Sequence, residues 1–70
     1  MKIRQIEACD MGTNQHEIAE WVENYVADKD FSSKEEFYDQ EFELIELACA
    51  ALNWHSVPQN GGLQVEWMYD

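Results

Sequence analysis

Seventy residues make one domain, with a narrow stability margin because so short a chain hides a small share of its surface. Hydrophobic residues are 46% and aromatics 13%, which excludes a disordered acidic tail and predicts a real core. Fifteen acids against four bases give a net charge of 4 − 15 = −11, beyond the roughly 2–8 usual for a small domain.

Residues 1–9 read as a strand, although Ile3 and Ile6 fall on opposite parities; a bulge or burial of both faces would reconcile them. Asp10 to Asn14 is a turn, and Asn14 with Glu17 forms a capping box. Ile18, Trp21, Val22, Tyr25 and Val26 then carry the spacing of a helix with one buried stripe, ending near Asp28. Glu17, Glu20 and Glu23 take its other side.

Lys29 to Ser32 is a connector, and Ser33 with Glu36 makes a second capping box. A second helix is predicted from Lys34 to about Asn53, with Phe37, Phe42, Ile45, Ala48 and Cys49 in its apolar arc. Glu41 falls among these apolar positions. It must either reach water at the edge of the sheet or find a partner such as Lys2 or Arg4.

Trp54 to Val57 reads as a short strand, and Pro58 to Gly62 as a hairpin turn, because Asn-Gly supplies positive φ. Leu63, Val65, Trp67 and Tyr69 alternate with polar residues and form the clearest strand. The prediction is an α+β domain over 1–70, of order β-α-α-β-β. Two antiparallel helices pack on a two- or three-stranded antiparallel sheet. Ile18, Trp21, Tyr25, Phe42, Ile45, Cys49, Val65 and Trp67 are the expected core.

Carboxylates dominate the expected surface. Glu35, Asp39, Glu43 and Glu46 follow at i, i+4, i+8 and i+11, with Glu36 at the edge of their arc. Neighbours at such spacing repel by a few tenths of a kcal/mol, and no base lies between Glu35 and Glu46 to offset this. The functional reading is a ladder presented to Lys and Arg, with Glu17, Glu20 and Glu23 as a second row. The plainer reading is a solvated acidic face.

The negative field repels nucleic acid and anionic membrane and attracts basic proteins, so no direct nucleic-acid or membrane contact is expected. No apolar leader is visible, and two cysteines are too few for a disulfide framework. The expectation is a reducing cytoplasm, the host's if the source is viral. Cys9, His16, Cys49 and His55 are too dispersed for a zinc site. No phosphate-binding loop or catalytic constellation is present, so neither cofactor nor metal nor enzymatic activity is expected.

Small size, charge −11, rows of acids on helices and a compact α+β frame together resemble the small acidic inhibitors that phages make against host defence. These include anti-CRISPR proteins and anti-restriction DNA mimics. The resemblance implies a basic nucleic-acid-binding protein, possibly a CRISPR effector or restriction system, as partner. It implies further that Glu35, Asp39, Glu43 and Glu46 stand where phosphates would. The rival reading is an interaction or oligomerising module, such as a homodimer, that uses Trp54, Trp67 and Tyr69 of an aromatic C-terminal hairpin.

Overall fold

A computed structural model describes residues 1–12, 15–54, 57, 58 and 60–68. Its elements are β1 (Lys2–Cys9), α1 (Gln15–Tyr25), α2 (Lys34–Tyr38), α3 (Glu41–Ala51) and β2 (Gly62–Met68). This is the expected α+β class, with an antiparallel sheet of two strands, β1 beside β2.

The register runs from Lys2 opposite Met68 to Cys9 opposite Gly62, with an irregularity between Ile3 and Gln5. Arg4 is the extra residue there. It shifts the parity of β1, so Ile3, Ile6 and Ala8 all face the core with Leu63 and Trp67. Of the two explanations for the Ile3 and Ile6 mismatch, a bulge or burial of both faces, the bulge is the one present.

The helices cover this face. α1 buries Ile18, Ala19 and Val22. α3 buries Leu44, Ile45, Ala48 and Cys49. Phe31, expected as a connector residue, is instead interior. Its ring meets Phe37 edge-on at 5.6 Å and Trp67 at 6.0 Å, while Phe37 and Trp67 stand 6.0 Å apart. Three mutually edge-on rings lock the segment before α2 onto the sheet. The Phe31 N–H also donates to the Met1 carbonyl at 2.7 Å.

The single helix expected over 34–53 is broken at Asp39 and Gln40. α2 opens as predicted at Ser33, whose Oγ accepts from the Glu36 N–H. Glu36 does not return to Ser33, however; its carboxylate accepts from the N–H and hydroxyl of Ser32. At the break, the Gln40 side chain donates to the Glu36 carbonyl at 3.1 Å.

Two expectations about this stretch are corrected. Phe37 joins the ring cluster from α2, and Phe42, expected in the core, is instead 58% exposed, because two residues before Leu44 it points about 200° away from that buried position around α3. Glu41 stays on the apolar side of α3 and finds a partner there, its Oε2 accepting from the Leu63 N–H at 3.1 Å. The partner is a backbone amide at the sheet edge, neither Lys2 nor Arg4.

α1 ends earlier than expected, at Tyr25, with a turn through Asp28. Tyr25 is 56% exposed and no core residue. Trp21 and Val65 are half-buried and pack against the core. Trp54 and Val57 lie in no strand, and β2 pairs with β1 in place of a C-terminal hairpin. Asn53 sits at φ +61°, closing α3 as the Trp54 N–H donates to the Cys49 carbonyl at 2.9 Å. Asn14, His55 and Tyr69, to which roles were assigned, lie outside the described residues.

Candidate functional site: the acidic surface

Eight carboxylates were expected to form the site, and the fold divides them. Two are engaged in holding it together. Glu23 on α1 accepts from the Ile6 N–H at 2.8 Å, capping the outer edge of β1. Glu36 is tied to Ser32, and these bonds hold its carboxyl below its ordinary range. Glu41, outside the expected set, has the matching role at the edge of β2.

The other six remain available. Glu17, Glu20, Glu35, Asp39, Glu43 and Glu46 are all exposed. None has a side-chain hydrogen bond or ion pair among the described residues. They do not form one ladder, because the break separates Glu35 and Asp39 from Glu43 and Glu46. Glu43 and Glu46 stand a turn apart on the outer side of α3, away from buried Leu44, Ile45, Ala48 and Cys49.

Apolar groups stand among these acids, and sequence reasoning missed them. Phe42 and Leu47 are exposed on α3, at the two borders of the stripe that holds Glu43 and Glu46. On α1, Trp21 and Tyr25 stack at 4.9 Å with 14° between their planes. Glu17, Glu20, Trp21, Asn24 and Leu52 line a groove of about 250 Å³. The available signal for Phe42 was the helical spacing itself, which sets it about 200° from Leu44 around α3.

The bases have a different distribution. Lys2 and Arg4 lie at the start of β1, and Arg4 Nη1 is 3.6 Å from Glu66. Lys29 lies over the ring of Phe31, which in turn touches Trp67 near the end of β2. Lys34 shares a groove with Arg4 and Met68. All four bases of the chain thus gather where β1 begins and β2 ends. α1 and α3 carry none.

Exposed carboxylates in this setting attract cations at long range, and the neighbouring aromatic and aliphatic side chains supply contact area at short range. Among the described residues, no three His, Cys, Asp or Glu side chains cluster to hold a metal ion. Burial pushes the Cys49 thiol pKa up, and the side chain packs in the core. Among the described residues no helix is long and apolar enough to cross a membrane. Comparison with protein-family models, curated proteins and solved structures finds no match to the chain.

Proposed function

We propose that this chain is a non-catalytic acidic binding protein that occupies the Lys/Arg-lined nucleic-acid-binding surface of a partner and blocks DNA or RNA there. One observation carries this reading. Six exposed carboxylates have no basic partner among the described residues, while the four bases are gathered at one end. A face kept acidic only for solvation gains from interspersed bases, which relieve repulsion at no cost in solubility. Here the repulsion is retained on two helices, and exposed Phe42, Leu47 and Tyr25 stand among the acids as anchors.

The reading agrees with the resemblance to phage-made inhibitors of host defence, whose carboxylates stand in for phosphates. The rival reading loses two of its three anchors: Trp67 is interior and Trp54 packs against the core.

The test is capture from a host lysate on the immobilised chain, eluted by a salt gradient and identified by mass spectrometry. A nucleic-acid-binding protein should be held at low salt and released as salt rises. It should be lost when Glu35→Gln, Asp39→Asn, Glu43→Gln and Glu46→Gln are combined. Capture that survives both high salt and the combined variant would refute the reading.

A further inference from the structure

The chain's own cations meet its rings and acids at one end of the molecule. Lys29 lies 5.6 Å from the centroid of the Phe31 ring, and Arg4 stands 3.6 Å from Glu66 in a groove that Trp67 also lines. The groove on α1 is built of the same kinds of residue, an indole and carboxylates. Glu17, Glu20, Trp21, Asn24 and Leu52 line it, around about 250 Å³. No Lys or Arg is among them, and α1 has none.

Glu17, Trp21 and Tyr25 follow at intervals of four and form one ridge of α1. Tyr25 stacks on Trp21 at 4.9 Å with 14° between the planes, which covers one face of the indole. Tyr25 does not line the groove, so the groove meets the indole on the side of Glu17. Glu20 and Asn24 on the neighbouring ridge, with Leu52 at the end of α3, complete the walls. Trp21 also packs against the core, so its ring is held in place from below and from the side of Tyr25.

We propose that this groove is an arginine site, which receives one guanidinium of the basic partner against Trp21 and bonds its edge through Glu17 and Glu20. The proposal rests on the reading of the acidic surface as a binding face, and it adds the residue type recognised on α1.

The chemistry of the walls selects this occupant. A cation is favoured because Glu17 and Glu20 are exposed and have no ion pair or side-chain hydrogen bond among the described residues. A planar cation is favoured over a compact one. A guanidinium is flat and weakly hydrated, lies against an indole, and presents a fork of N–H donors to carboxylates. An ammonium is a strongly hydrated point charge and gains less from the ring. Trp21 and Leu52 supply apolar surface for the aliphatic stem. Surfaces that bind nucleic acid present such arginines to phosphates.

The experiment is an NMR titration of the full chain with acetyl-arginine amide, and separately with acetyl-lysine amide at equal ionic strength. The Trp21 indole N–H and the backbone amides of Asn24 and Leu52 are followed. Saturable shifts are expected there, with arginine bound about three- to fivefold tighter than lysine. Glu17→Gln combined with Glu20→Gln should weaken arginine binding about fivefold, because two exposed charge contacts are removed. Trp21→Leu should abolish the preference for arginine over lysine.

Equal affinity for the two amides overturns the proposal. So do shifts as large on α2 and α3 as in the groove, or arginine binding that the two Gln changes leave unaltered. Both Gln changes fall at exposed helix positions, so this arm stands whether or not Trp21→Leu folds. The titration needs no partner, which separates the two readings. Arginine binding here without capture of any nucleic-acid-binding protein would refute the wider reading alone. Capture that depends on the α2 and α3 acids, with no arginine preference in the groove, would refute this proposal alone.

Discussion

Glutamates in this chain have two occupations, and residue-level chemistry separates them. Glu23, Glu36 and Glu41 are tied to backbone amides. Removing the acceptor at position 41 strands the Leu63 N–H at a half-buried edge. Glu41→Ala is expected to cost about 1–3 kcal/mol in urea unfolding, and Glu41→Gln, which keeps a carbonyl acceptor, clearly less. Glu36 adds a pH dependence. Its folded-state pKa lies below the ordinary 4.5, so its contribution is present above that value and is lost as pH falls through the folded pKa. Glu36→Gln should therefore narrow its stability deficit against the parent as the solution is acidified below about 4.5. A deficit that is constant with pH would count against the Ser32 contacts. The sequence showed that Glu41 was out of place. It could not show the cure, because the donating amide lies 22 residues away on β2.

At the scale of elements, the legible features were those set by local pattern. The mismatch of Ile3 and Ile6 pointed to an irregularity, a bulge or burial of both faces, and Ser33 marked the start of α2. The break at Asp39 and Gln40 was illegible because no Pro or Gly marks it. It arises from tertiary demand, as Phe37 must join Phe31 and Trp67 while α3 packs on α1. The hairpin was misread for a related reason. Gly61 does have positive φ, +93°, but a Cβ there would stand 2.3 Å from the Cys9 carbonyl oxygen. Glycine is needed for close approach to β1, not for a local reversal. Phe31→Ala should be among the most damaging changes, about 3–5 kcal/mol, enough to unfold so small a domain. A folded Phe31→Ala protein with an unchanged denaturation midpoint would contradict the ring cluster. On α3, Glu43→Lys should raise stability by a few tenths of a kcal/mol by relieving repulsion with Glu46, while weakening capture of a basic partner. Opposite effects on stability and binding from one exposed residue are what a functional surface predicts.

Across the whole molecule, charge is asymmetric. Four bases sit where β1 begins and β2 ends, and the helices α1 and α3 have none. The net charge was plain from composition, but its separation was not, since Lys29 and Lys34 are distant in sequence from Lys2 and Arg4. A chain at −11 repels itself, so added sodium chloride should raise the melting temperature through screening. The same salt should weaken its grip on a basic partner. The most direct measurement is competition: the captured partner is loaded with fluorescent DNA or RNA, and the chain is titrated in while anisotropy is followed. The account predicts stoichiometric release of nucleic acid by the parent chain and little release by the combined Glu35, Asp39, Glu43 and Glu46 variant. A ternary complex, with nucleic acid still bound while the chain is attached, would contradict it.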